Sequence, residues 1–270
     1  VELLMNNKNK FNEEWWDKNP MTYEDWNLSE NIRSSIDIDK IKKINSEYID
    51  SNPYLNDFFK NLKNNNQENT VLDIGCGWGS STVILSKIFK KVYSIDISAK
   101  SILAAKENIR LNGFPERVNL SKYDAEKLNF INYFDLIYSW GVIHHSYDTK
   151  KILENIYKGL KENGKCLIMI YNKNSLRYYL KGFYYLIFKF KLFSGYNLDS
   201  VQKLFTDGFY QKHYSKSELR KTLKEIGFKN ISFDLTHMQK SYLPFIKKNS
   251  LIDKFLKKNF GWLLVAKFNK

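Results

Sequence analysis

Residues 71–79 read Val71-Leu72-Asp73-Ile74-Gly75-Cys76-Gly77-Trp78-Gly79. The apolar run at 70–74 predicts a buried strand and 80–89 predicts a helix, so the three glycines occupy a strand-to-helix turn. Glycine lets the chain turn tightly and lets a ligand approach the backbone. The helix that follows offers unpaired N–H groups in its first turn. A dinucleotide-binding turn uses Gly-x-Gly-x-x-Gly, with a pyrophosphate at the helix start. Here the spacing is Gly-x-Gly-x-Gly, with Asp73 two residues before the first glycine. A carboxylate there repels a pyrophosphate and suits a ligand carrying positive charge.

Outward from this turn, strands and helices alternate. Strands are expected at 92–96, 118–121, 134–139 and 165–171, and helices at 98–111 and 149–160, with turns at Asn112-Gly113 and Asn163-Gly164. Strands separated by helices of this length argue βαβ units and a parallel sheet. The rhythm breaks over 172–215, which reads as an insertion. A helix at 217–226, stopped by Gly227, and two final strands at 231–235 and 262–268 follow. Before the first strand, Ile41, Ile44 and Tyr48 have helical spacing. Four units are expected: a helical N-terminal extension over 1–69, a cofactor-binding core over 70–171, a basic aromatic cap over 172–215, and the closing helix and strands over 216–270.

Asp96 falls at the end of the second strand, 17 residues after Gly79. A carboxylate there can hold both ribose hydroxyls of an adenosine. Asp96 and Ser98 equally suit the cap of the next helix.

These segments, with Tyr123-Asp124-Ala125, residues 134–145 and residues 160–170, resemble the class I S-adenosylmethionine-dependent methyltransferases. The likeness covers residues 70–171, with a return over 216–270. It implies an α/β, doubly wound, Rossmann-like sheet of seven mostly parallel strands with one reversed strand, and S-adenosyl-L-methionine as cofactor. Asp73 and the backbone at Gly75 and Gly77 are then expected at the methionine part, Asp96 at the ribose, and Asp124 with Ala125 at the adenine amino group. Ser139-Trp140 are expected beneath the sulfonium, and Cys76, Gly79 and Ile97 complete the cofactor set. Asn163-Gly164 stands where many relatives have two glycines.

Missing motifs prune the acceptor. The (Asp/Asn)-Pro-Pro-Tyr of amide and base-amino methylation is replaced by Ser139-Trp140-Gly141-Val142, and no cysteine nucleophile lies nearby. The paired glutamates of arginine methylation and an acidic metal cluster are also missing, so no metal is expected. Cys76 and Cys166 are far apart and form no CxxC, which excludes a disulfide scaffold and fits a reducing cytoplasm. The opening residues turn polar at Asn6 and show no secretory core. His144-His145 follow the fourth strand, where many small-molecule relatives place a histidine. Imidazole titrates near neutrality and can take a proton from a hydroxyl. Adjacent residues cannot point one way, and His145 matches the family position. The acceptor pocket is expected from Trp15, Trp16 and Tyr23, with Trp26 nearby, and from Arg177 and Lys181 of the cap.

Lys and Arg number 43 against 29 Asp and Glu. Residues 1–171 hold 23 of each sign, whereas 172–270 hold 20 basic and 6 acidic side chains. The imbalance predicts an anionic small acceptor, such as a phosphate- or nucleotide-linked sugar, or an anionic surface. Residues 176–193 are 13 of 18 apolar or aromatic, but Arg177, Lys181, Lys189 and Lys191 interrupt them. That is too short and too charged to span a bilayer. It suits a lid, a homodimer surface or a peripheral membrane contact. The expected activity is O-methylation of a small molecule or sugar. Lipid-directed methyl transfer or cyclopropanation is the alternative, since Asp-Ile-Gly-Cys-Gly-Trp-Gly also occurs in cyclopropane fatty acid synthases. Those enzymes carry Glu-His where this chain has His144-His145. Nucleic acid is disfavoured as acceptor for want of the catalytic motifs, and a non-catalytic binding module because Asp73 and Asp96 are both present.

Overall fold

Apolar runs and glycine turns take turns along the chain, and the strands and helices follow them. The computed structural model describes residues 2–19, 36–64, 69–237 and 245–270, the side chains of 2–9 and 64 excepted. Three helices come first: α1 (Glu2–Lys18), α2 (Ile38–Asp50) and α3 (Pro53–Asn64). Then follow β1 (Thr70–Ile74), α4 (Ser80–Ser86), β2 (Lys91–Asp96), α5 (Ala99–Asn112), β3 (Val118–Lys122), β4 (Phe134–Trp140), α6 (Thr149–Gly159) and β5 (Leu160–Tyr171). Beyond β5 lie α7 (Leu176–Phe183), α8 (Lys216–Ile226), β6 (Lys229–Thr236), α9 (Leu251–Phe260) and β7 (Leu263–Asn269).

The sheet has seven strands in the order β3-β2-β1-β4-β5-β7-β6. β7 runs antiparallel to both neighbours, and the pairs among β1 to β5 are parallel. This is the doubly wound, mostly parallel sheet with one reversed strand. Side chains alternate across it. Ile137 meets α6 and α8 through Ile152, Ile156, Leu219 and Leu223. Leu136 and Tyr138 face the other way, onto α3 and α4 through Leu55, Phe59 and Leu85. The buried hydroxyls of Tyr48 and Tyr138 pair at 2.5 Å, so neither phenol is left unsatisfied there.

Register fixes which loops share an edge. Tyr171 ends β5, Thr236 ends β6 and Leu263 begins β7, and Leu263 pairs with both. The segments 172–215 and 237–262 therefore leave from the same end of the sheet as the glycine turn after β1. The second of these contains a helix, α9, where the sequence reading assigns no element. Two boundaries also shift. α4 stops at Ser86, short of residue 89. β5 begins at Leu160 because the chain turns at Asn163, which takes φ of +62°, and at Gly164, where a Cβ would stand 2.7 Å from the Lys161 carbonyl oxygen. No helix among the described residues is long and apolar enough to cross a membrane.

Candidate active site

The turn between β1 and α4 is held open by its glycines. Gly75, Gly77 and Gly79 have φ of +74°, +53° and +84°, a region that side chains disfavour. A Cβ on Gly75 would strike Val142 at 2.2 Å, and one on Gly79 would crowd the Ala105 backbone at 3.1 Å. At Gly77 a Cβ would meet nothing within 4 Å, because Gly77 faces a cavity of about 590 Å³. The turn walls one end of it, together with Cys76, Asp96, Ile97, Asp124 and Ala125.

Asp96 shapes this end. Its Oδ2 accepts from the Gly77 N–H and its Oδ1 from the Ser98 N–H, both at 2.9 Å. Burial pushes its pKa up to about 6, against the pull of those N–H bonds. The Asp124 Oδ1 accepts from the Glu126 N–H at 2.9 Å and so fixes the turn after β3. Asp73 sits elsewhere. It is buried and does not line the cavity. Its Oδ2 accepts from the Ser81 and Thr82 hydroxyls, each at 2.7 Å, and ties β1 to α4. Burial pushes its pKa up to about 6 as well. Gly79 also stays behind the wall, as does Ser139, whose hydroxyl donates to the Ile74 carbonyl at 3.1 Å. Both give way to packing: Gly79 meets Ala105 and Ser139 is wholly buried. Trp140 does line the cavity, with its Nε1 donating to Asn52 Oδ1 at 3.3 Å.

The two histidines part company. His145 lines the cavity and His144 does not. His144 is wholly buried beside Tyr171, with ring centres 4.0 Å apart, and neither nitrogen has a hydrogen-bond partner among the described residues. Burial drives its pKa well below the usual histidine range. His145 Nδ1 lies 2.9 Å from the Tyr210 carbonyl oxygen. A carbonyl only accepts, so Nδ1 carries the proton and Nε2 keeps the lone pair. Nε2 is buried and has no partner among the described residues. Burial also lowers the pKa of this ring. The imidazole is thus held neutral with one free basic nitrogen.

α1 lies across the site. Trp15 and Trp16 line the cavity, and Trp16 stands edge-on to His145 with ring centres 5.1 Å apart. Asn12 Nδ2 donates to the His145 carbonyl at 3.1 Å. Ser98 donates to Asp17 at 2.6 Å, and Lys122 pairs with Glu13. Tyr23 and Trp26 lie outside the described residues.

The far end of the cavity is made by the two segments that follow β5 and β6. Tyr171 donates to Asp207 Oδ1 at 2.6 Å. Arg177 lies 4.7 Å over the Trp262 ring. Arg177 Nε and Asp207 Oδ2 are buried without a partner among the described residues. Lys181 does not line the cavity. Its ammonium lies 5.3 Å from the Phe205 ring, and Phe205 forms the wall. Asn12, Asn52, Tyr171, Asp207 and Trp262 are absent from the sequence-based site. Spacing gives no sign of them, because they come from four segments that only the sheet brings together. No cluster of His, Cys, Asp or Glu among the described residues could hold a metal ion.

Residues 65–181 match the family described as "Methyltransferase domain". Phosphoethanolamine N-methyltransferase 2 of Caenorhabditis elegans is 37% identical over 106 residues, 38% of this chain and 24% of that protein. The ubiquinone/menaquinone biosynthesis C-methyltransferase of Wigglesworthia glossinidia brevipalpis is 29% identical over 182 residues, 62% of this chain and 70% of that one. The match thus spans about a quarter of the nematode enzyme. Among solved structures, the YcgJ protein of Bacillus subtilis superposes with a TM-score of 0.57 at 18% identity, over 80% of this chain and 97% of that one. Over residues 65–181 the chain thus resembles a methyltransferase domain, and over most of its length it shares the fold of the YcgJ protein.

Proposed function

We propose that this domain moves a methyl group from S-adenosyl-L-methionine to an oxygen of a small acceptor that carries an anionic group. One observation carries the reading. A single cavity joins the glycine turn, Asp96 and Asp124 at one end to His145, Tyr171, Arg177 and Asp207 at the other. The first end fits the cofactor by its own chemistry. Gly77 leaves open space where a side chain would stand, and the Asp96 and Asp124 carboxylates at the cavity wall can accept from the hydroxyl and amino groups of an adenosine. When bound, the cofactor supplies an electrophilic methyl carbon on a sulfonium. The protein's part is to align the acceptor, which is the larger share of catalysis in such a transfer. His145 Nε2 takes the hydroxyl proton as the new bond forms, while the Tyr210 carbonyl holds Nδ1–H and fixes the ring. Trp16 and α1 exclude water. Arg177, stacked on Trp262 with Nε unpaired, takes the anionic group of a phosphate- or nucleotide-linked sugar or a similar hydroxy compound.

Two measurements test this. Calorimetry with S-adenosylmethionine and with NAD should show binding of the first only, and Asp96→Ala should weaken it at least tenfold. Binding of NAD alone would overturn the cofactor assignment. Transfer of labelled methyl should then favour phosphorylated and carboxylated hydroxy compounds over their neutral analogues. Arg177→Gln should raise KM for the anionic ones about tenfold or more, the scale of one charge-assisted hydrogen bond. Equal use of neutral and anionic acceptors would leave Arg177 without its assigned role.

A further inference from the structure

The end of the molecule that bears the mouth of the cavity also bears a run of exposed apolar side chains. The segment 176–193 presents Phe183, Ile187, Phe188, Phe190, Leu192 and Phe193 to solvent, with Phe188 exposed by 70% and Phe193 by 85%. Arg177, on the same segment, lines the cavity. From the neighbouring connection, between β6 and β7, comes α9. Asp253 is fully buried, accepting from the Asn249 N–H at 2.9 Å and pairing with Lys257 at 2.7 Å. Leu251 is 86% exposed, and Ile252 and Phe255 point outward with it. α9 thus shows solvent three large apolar side chains beside the exposed Lys254 and Lys258. The link between the two segments is direct, since Arg177 of one stacks on Trp262 of the other.

Charge says which medium. Residues 172–198 contain no Asp or Glu and five Lys or Arg. Over 237–270 the sole carboxylate side chain is Asp253, which is buried and paired, against eight lysines. A face of aromatic and aliphatic side chains mixed with lysines, and free of exposed acid in these segments, matches a bilayer of anionic lipids. Lysine stems lie along apolar matter while their ammonium groups reach the headgroups.

We propose that segment 176–193 and α9 dock this end of the molecule on an anionic phospholipid bilayer, which turns the cavity mouth toward an acceptor dissolved in the membrane. The docking stands on the surface alone. That the site so placed methylates an acceptor rests on the methyl-transfer reading above.

The test is co-sedimentation of the full chain with vesicles of phosphatidylcholine alone and of phosphatidylcholine containing phosphatidylglycerol at about one lipid in three. Two double variants go beside it, Phe188→Glu with Phe193→Glu and Ile252→Glu with Phe255→Glu. All four side chains are exposed, so circular dichroism and cofactor affinity should stay as in the parent. The parent should pellet with the anionic vesicles, less so as salt rises, and each variant should lose binding at least tenfold. No pelleting, or pelleting that the variants leave unchanged, overturns the proposal. A concentration-dependent dimer abolished by the variants, without vesicle binding, assigns the face to a second copy and overturns it too. A chain that binds vesicles but no S-adenosylmethionine keeps this inference and loses the enzymatic reading. One that binds S-adenosylmethionine but no vesicles does the reverse.

Discussion

His145 is held in the form a base needs. Its Nδ1–H is committed to the Tyr210 carbonyl at 2.9 Å, and its second nitrogen is buried and unpaired among the described residues. Replacing it by Ala should lower kcat by about 10² or more while cofactor affinity stays within a factor of two or so. If affinity falls instead and kcat does not, His145 serves packing. The pH profile carries a second signature. A base works when unprotonated, and burial lowers the pKa of this ring, so the base form persists to lower pH than in a free histidine. The acid limb of kcat should therefore fall below pH 6.5, the ordinary histidine value, and the limb should vanish in His145→Ala. A limb centred above 6.5 would point to another group. The expectation of His145 over His144 rested on the family resemblance, and the structure puts His145, not His144, at the cavity wall. The roles of Asp73 and Asp96 were less legible. Both sit by the glycine turn in the fold, but alternation along β1 sends Asp73 inward to Ser81 and Thr82, whereas Asp96 stands at a strand end facing the cavity. Spacing cannot tell a carboxylate that meets a ligand from one that fastens the turn behind it.

Among the elements, the glycine turn and α1 bear the strongest expectations. Gly75→Ala puts a methyl group 2.2 Å from Val142 at a left-handed φ, and Gly77→Ala suffers the φ alone. Thermal unfolding should therefore rank them, with Gly77→Ala costing about 1–2 kcal/mol and Gly75→Ala clearly more. Equal losses would mean that Val142 moves aside freely. α1 reaches the core mainly through Asn12, Trp15, Trp16 and Asp17, all at the cavity or beside Asp96. A chain lacking residues 1–19 should keep the far-ultraviolet spectrum of the sheet domain and lose cofactor affinity tenfold or more, as seen by calorimetry. Unchanged affinity would show that α1 does not cover the site. β1, β4 and β5 were readable because each carries an apolar run between turn residues. α9 was not read, although Ser250 caps it and Leu251, Ile252, Phe255 and Leu256 have helical spacing; what the sequence could not show is that Leu251, Ile252 and Phe255 face solvent.

Over the whole molecule, burial sets the response to acid. All four histidines have lowered pKa values, His213 to about 3 and His237 to about 4, each chiefly by desolvation. The unfolded chain binds their protons below pH 6.5 and the folded one does not, so their contribution is present above 6.5 and lost as pH falls. Asp73 and Asp96, raised to about 6, act in the opposite sense between 6 and 3.8. Histidines outnumber these carboxylates, so unfolding at pH 5 takes up net protons. Tm should drop between pH 7 and pH 5 in calorimetry without cofactor. A Tm that holds or rises would mean that one or more of these rings is charged in the folded state. The charge split was visible in composition, but its placement needed the register that gathers 172–215 and 237–262 at one end of the sheet. Among the described Lys and Arg residues Arg177 alone lines the cavity, while Lys212 lies 4.8 Å over the Tyr214 ring and Arg220 donates to the Ile231 carbonyl.

The position of β7 has a bearing on how the chain is made. β7 follows every other strand in sequence yet lies inside the sheet, between β5 and β6, and among the described residues β6 pairs with no other strand. A nascent chain that has emerged through α9 therefore holds two unfinished borders, the open side of β5 and an orphan β6, each a template for misplaced pairing. Only the arrival of residues 263–269 joins them in one step. Pausing on the ribosome before that point prolongs an aggregation-prone state, and a chain cut at residue 262 should collect in the insoluble fraction even though five parallel strands and their helices are already complete.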